Sequence, residues 1–197
     1  ASAGIDLLEA GGGHDGNESH DDEDTHDEDQ DDHEHDEAMD PHFWMDPLRL
    51  GGAIESVREA FTTIDPDNAE TYAGNAASFQ ADVEDLHERI DSTVEEASKG
   101  VVLVAGHNSL RYFGDRYGVE IEALTNVSPD DRPTPQDVER AQEIIDTHDL
   151  QYVCADPLES QQAAEQLVEE TDAEAVLPLT SIPGLTEEWA EDDWGYV

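Results

Sequence analysis

The run VVLVAG, residues 101–106, is continuously apolar and rich in β-branched side chains. A strand buried on both faces reads this way, and such strands belong to parallel sheets covered by helices. The pattern then alternates. A helix is expected over 107–117, a strand over 118–124 (GVEIEAL), a helix over 135–148, a strand over 151–155, a helix over 160–171 and a strand over 175–179. The closing GLTEEW carries a helix start. This alternation predicts an α/β sheet with right-handed crossovers. Ligands of such sheets sit where the strands deliver their C-terminal ends.

Upstream of Gly100 the period is helical. Asp46 is an expected N-cap with Pro47 at the first helical position. Leu48, Leu50, Ile54, Val57 and Phe61 mark an apolar stripe. Asp65 and Pro66 restart the chain as a long helix, whose Tyr72, Phe79, Val83, Leu86, Ile90 and Val94 recur at steps of three and four. Its predicted span to Lys99 suggests a spine linking two bodies. Residues 1–10 are expected as a short helix, ended by Gly11 to Gly13. Residues 14–37 are almost wholly Asp, Glu and His and are expected as a mobile loop, since nothing there repays the entropy of ordering.

Charge bounds the partners. The formal net charge is −44, and Lys99 is the only lysine. Phosphate binding needs cationic side chains, so nucleic acid is excluded as a partner; anionic membrane surfaces are disfavoured too. With 36% hydrophobic residues in periodic blocks, the composition reads as a folded, haloarchaeal-like protein whose self-repulsion salt must screen. The single cysteine, Cys154, has no internal disulfide partner and reads as a small apolar residue at a strand end. No run reaches the length of a membrane span, and no signal peptide is visible. ASAGIDLLEA reads as the middle of a longer protein, so the chain is expected to be a fragment.

Three sets of histidines carry potential chemistry. His42 lies in DPHFWMDP, with Pro41 and Pro47 restricting the backbone and Asp40 or Asp46 available to hold one ring nitrogen. It reads as a metal ligand or as a packed histidine. His107 follows the buried strand VVLVAG at the rim where α/β folds place functional groups, and Gly106 leaves room for close approach. It reads as a ligand or as a plain helix-start histidine. His14, His20, His26, His33 and His35 stud the acidic tract, where they would act as auxiliary, labile metal ligands. His87 and His148 read as surface residues.

These motifs resemble those of the solute-binding proteins of zinc and manganese ABC transporters, of the zinc-uptake type. Asp40 to Pro47 matches the family's Asp-Pro-His-x-Trp-x-Asp-Pro, and His107 to Phe113 matches its His-to-Tyr-Phe segment after a strand. PTPQDVERAQEII resembles its Pro-(Ser/Thr)-Pro segment, and the acidic histidine loop resembles the zinc-uptake branch. The resemblance implies an α/β, two-lobed metal-binding fold with a long linking helix. It divides the chain into 1–64 as the end of the N-terminal lobe, 65–99 as the linking helix and 100–197 as the C-terminal lobe. It implies His42 and His107 as ligands across the cleft, Zn²⁺ with Mn²⁺ as the alternative, and a membrane permease as partner. It further implies an extracytoplasmic monomer, anchored through an upstream lipobox, that is not an enzyme. The family's first histidine lies upstream of Ala1. The family's late aspartate is replaced by Leu179-Thr180-Ser181, so water, Glu187 or a loop histidine would complete the site. Two other classes compete. A zinc hydrolase lacks support because no His-Glu-x-x-His occurs. In an acidic metal buffer or adhesion module, the loop itself would be the functional part.

Overall fold

The computed structural model describes residues 5–9, 39–125, 132–182, 184 and 186–192. A 3₁₀ turn at Phe43–Met45 leads into α1 (Pro47–Ile64); a second at Pro66–Asn68 leads into α2 (Ala69–Glu96). Then come β1 (Val101–His107), α3 (Arg111–Tyr117), β2 (Glu120–Thr125), α4 (Pro135–His148), β3 (Tyr152–Ala155), α5 (Gln162–Glu170), β4 (Ala175–Pro178) and α6 (Glu187–Glu191). The four strands form one parallel sheet in the order β2-β1-β3-β4. The alternation expected after Gly100 is therefore the observed one.

Local chemistry accounts for the element starts. Asp46 caps α1 by accepting the Leu48 N–H at 3.0 Å, with Pro47 at the first position. Thr134 and Asp137 form a reciprocal capping box on α4, again with Pro at its start. The Thr134 N–H and hydroxyl both bond the Asp137 carboxylate and hold its pKa below the usual value. At the other end of α4, the Lys99 ammonium donates to the carbonyls of His148 (2.7 Å) and Asp149 (2.8 Å). Orphan carbonyls of the last turn are thereby satisfied.

The core lies between the sheet and helices α4 and α5. Leu103, Ala105, Leu124, Ile145, Val153 and Leu167 are its main members, with Ala141, Ala155 and Ala164 letting the layers approach. Each fully buried Val or Leu contributes about 1.5–3 kcal/mol relative to exposure. α3 contacts β2 at Gly114, where a Cβ would stand 2.6 Å from the Val119 carbonyl oxygen and 2.8 Å from Ile121 Cγ1. Only glycine fits that approach. Cys154 lies half-buried in β3, and burial pushes its thiol pKa up. Among the described residues no helix is long and apolar enough to cross a membrane.

Four expectations need correction. Residues 5–9 are not helical: Asp40 N–H donates to the Leu8 carbonyl at 2.8 Å and Glu9 bridges Met39, so long-range partners claim the backbone. α2 is shorter than the expected spine, with 28 residues spanning roughly 42 Å, because a 3₁₀ turn occupies its expected first turn. The α1 stripe faces α2 but is only partly covered, with Leu50 and Ile54 half-buried. Val57 and Phe61 are exposed, while Ala53 is buried on α1 and Ala76 and Val83 on α2. The contact of Phe61 with Tyr72, and of Gly51 with Gln80, makes α1 and α2 an antiparallel pair. Finally, His107 ends β1 rather than opening a helix, which starts only at Arg111.

Candidate metal centre

His42 is fixed by its own motif. The Asp40 Oδ1 accepts the His42 backbone N–H at 2.9 Å and faces the His42 Nδ1 at 2.7 Å. One carboxylate oxygen thus sets both backbone and ring, a turn that an Asp two residues upstream makes readily. The segment is held from α3. The Tyr112 hydroxyl donates to the Asp40 carbonyl at 2.7 Å and accepts from the Leu8 N–H at 2.9 Å. Tyr112 is fully buried, and its pKa is raised chiefly by that burial. Among the described residues the second Asp40 oxygen has no hydrogen-bond partner, and Arg111 Nη1 stands 3.9 Å from it.

Asp46, the other carboxylate expected near the His42 ring, is engaged elsewhere. Its oxygens accept the Leu48 N–H and three hydrogen bonds from Arg116, the shortest 2.7 Å, with Arg49 Nε at 3.5 Å. This is a structural pair, and it raises the Arg116 pKa through the hydrogen bonds first. Of the two carboxylates, Asp40 is the one that holds the His42 ring.

His107 is fixed from a different part of the chain. Its Nδ1 stands 2.8 Å from Glu159 Oε1, in the turn after β3. Gly106 makes this possible, since a Cβ there would come within 3.1 Å of Glu159 Oε2. Asp156 shapes the turn. Its Oδ1 accepts the Leu158 N–H, its carbonyl accepts from Glu159 N–H and Gln161 Nε2, and its Oδ2 accepts the Thr180 hydroxyl at 2.7 Å. Next to Thr180, the Ser181 carbonyl accepts the Trp44 indole N–H at 2.7 Å. The turn behind one histidine is thus tied to the aromatic residue beside the other.

The two imidazoles meet. Both are 7% exposed, and their centroids lie 5.3 Å apart. A carboxylate oxygen stands 2.7 Å from the His42 Nδ1 and another 2.8 Å from the His107 Nδ1; in a neutral ring whose Nδ1–H faces such an acceptor, Nε2 is the nitrogen left with a lone pair. With Zn–N at about 2.0–2.1 Å, two imidazoles at the tetrahedral angle put their centroids roughly 5.2 Å apart. The observed spacing suits one small divalent cation. Among the described residues no group of three or more His, Cys, Asp or Glu side chains is assembled as a metal site. A cleft of about 890 Å³ opens beside His107 between α4 and α5, with Thr134, Gln142, Gln162 and Gln166 among its walls; His42 does not line it.

The other candidates are placed as follows. His14, His20, His26, His33 and His35 lie outside the described residues. Glu187 is exposed at the start of α6. His87, expected at the surface, is half-buried with its Nδ1 3.1 Å from the Tyr117 hydroxyl. His148 is half-buried at the end of α4. Sequence reasoning missed Glu159, Asp156 and Ser181. Their one local signal is position, since 156–159 and 181 follow the C-terminal ends of β3 and β4, the rim where such sheets gather function.

The family model for ZnuA, the periplasmic zinc-uptake complex component A, matches residues 2–195. The chain belongs to this family. The high-affinity zinc uptake system protein ZnuA of Bacillus subtilis is 29% identical over 197 residues, covering 100% of this chain and 58% of that protein. The manganese-binding lipoprotein MntA of Halalkalibacterium halodurans is 30% identical over 120 residues, covering 59% of this chain and 39% of that protein. The laminin-binding protein Lmb of Streptococcus agalactiae, described as bifunctional with adhesin and metal-transporting activity, superposes with a TM-score of 0.69 at 21% identity. That match covers 78% of this chain and 60% of Lmb, and it shows a shared fold. The match thus spans 58% of the Bacillus subtilis protein and 39% of the Halalkalibacterium halodurans protein. The mixed α/β architecture is that of two-lobed metal-binding proteins, and the family is one of solute-binding components rather than an enzyme class.

Proposed function

We propose that the chain is part of an extracytoplasmic solute-binding protein that captures Zn²⁺ as cargo and delivers it to an ABC permease. His42 and His107 act as ligands through their Nε2 atoms. The observation that carries this is the approach of two buried imidazoles, each with Nδ1 occupied by its own carboxylate. Asp40 serves His42 as its orienting carboxylate. Residues 1–64 contribute the end of one lobe, 65–99 the connecting helix and 100–197 the second lobe. Imidazole donors favour zinc over the oxygen-preferring Mn²⁺, although a manganese-binding relative keeps Mn²⁺ as the competing cargo. The acidic histidines His14, His20, His26, His33 and His35 serve as labile auxiliary ligands that raise the local cation concentration. Anchoring through an upstream lipidated cysteine and action as a monomer complete the proposal.

Isothermal titration with Zn²⁺ and Mn²⁺ tests it in the full-length protein. His42→Ala and His107→Ala are each expected to lower zinc affinity by at least tenfold with an unchanged circular dichroism spectrum. Deletion of residues 14–37 is expected to leave high-affinity binding in place. Unchanged affinity in both histidine variants, or loss of all binding on the deletion, would put the binding site elsewhere.

A further inference from the structure

We propose that Glu159 is the positioning residue for the His107 imidazole, fixing its tautomer and ring direction for cation capture. The inference rests on the reading of His107 as a ligand, and it concerns a residue that carries no recognisable motif. Three observations support it.

First, the Glu159 Oε1 stands 2.8 Å from Nδ1 of a ring that is 7% exposed, so water does not compete freely for that nitrogen. A carboxylate acceptor holds the proton on Nδ1 and leaves Nε2 as a donor atom for a cation. Second, the turn carrying Glu159 is braced. Asp156 is 8% exposed and bonds the turn through Leu158, Glu159 and Gln161 and the β4 exit through Thr180. A positioning group needs such support. Third, residue 106 is a glycine, and a Cβ there would stand 3.1 Å from Glu159 Oε2, a contact tight enough to push the carboxylate by a few tenths of an ångström. Backbone and carboxylate are fitted to each other. The arrangement parallels Asp40 and His42, reached by a different route: one carboxylate lies two residues from its ring and the other 52.

The test uses full-length protein with Glu159→Ala, Glu159→Gln and Gly106→Ala, with His107→Ala as reference. Two-dimensional ¹⁵N–¹H correlation of the imidazoles in metal-free protein reports the tautomer, with the His107 signals assigned by their loss in His107→Ala. Competition with a chromophoric chelator reports Zn²⁺ affinity. In the parent protein His107 is expected as the Nδ1–H form. Glu159→Ala is expected to abolish that bias and lower affinity about 10–100-fold, the usual cost of losing such a partner. Glu159→Gln keeps an acceptor and is expected to fall between. Gly106→Ala leaves the carboxylate in place chemically but displaces it, and is expected to move both readouts in the same direction as Glu159→Ala. An unchanged tautomer in Glu159→Ala overturns the proposal. So does an altered tautomer with unchanged affinity, provided His107→Ala binds weakly. If His107→Ala itself binds zinc like the parent, the ligand reading falls, and the tautomer alone decides whether Glu159 orients the ring.

Discussion

Replacing Asp46 with Ala should cost about 3 kcal/mol of folding stability. The figure is built from the bonds the carboxylate makes. As N-cap of α1 it accepts the Leu48 N–H, and losing such a cap costs about 1 kcal/mol. It also accepts three hydrogen bonds from Arg116, and hydrogen bonds to charged groups contribute about 1.5–3 kcal/mol. Asp46 is wholly buried but one third of the Arg116 side chain is exposed, so the orphaned guanidinium can turn to water. That places the ion-pair loss near the low end, about 2 kcal/mol. Against a total stability of about 5–15 kcal/mol this is a large fraction. Tm should fall by about 6–12 °C for a chain of this size. Urea denaturation in a fixed high-salt buffer measures it. Asp46→Asn keeps a capping oxygen and should recover about 1 kcal/mol of the loss. In the double variant with Arg116→Ala, the second substitution should cost little beyond the first, since the two share one interaction. If Asp46→Ala unfolds within about 0.5 kcal/mol of the parent, the buried pair is not a stability determinant and this accounting is wrong.

Alkaline stability should depend on Tyr117, whose pKa is pushed up to about 12, first by burial and then by the Asp46 charge. The raised folded value means this contribution is complete below about pH 10 and lost as pH rises towards 12. The loss amounts to about 2–3 kcal/mol, and Tyr117→Phe should flatten the pH–stability curve across that window in chemical denaturation. Low salt should destabilise the chain, because a net charge of −44 is then unscreened; a thermal melt in molar and in millimolar salt checks this, and equal midpoints would contradict it.

Much of the chain could be read before its coordinates. Asp46-Pro47 and Thr134-Pro135 announce their helices because the signals are local: a capping oxygen and a ring that fixes φ. β1 was legible because its burial leaves an apolar run; β2, β3 and β4 were legible as short β-branched or aromatic runs between helical stretches. Asp40 and His42 were legible because the bond between them spans two residues. Glu159 was not, since nothing in DPLES says which of its carboxylates will reach a ring 52 positions upstream. Ile5, Leu7 and Leu8 misled for the same reason: Tyr112 and Asp40 claim the Leu8 backbone from far away. In α1 the apolar stripe faces α2 through Phe61 but stays partly open, and the fully buried positions of the pair are Ala53, Ala76 and the expected Val83.

The one lysine of this chain rests on the carbonyls of His148 and Asp149 and on the Asp149 carboxylate, and with seven arginines it faces 52 carboxylates. The molecule therefore carries a diffuse cloud of small cations drawn from its surroundings. On the proposed function, a divalent ion heading for the two imidazoles would cross that cloud, and sodium or potassium in the medium would weaken the pull that gathers it. Capture rate and medium composition would then be linked: salt that screens the self-repulsion of the body would also slow the arrival of its cargo.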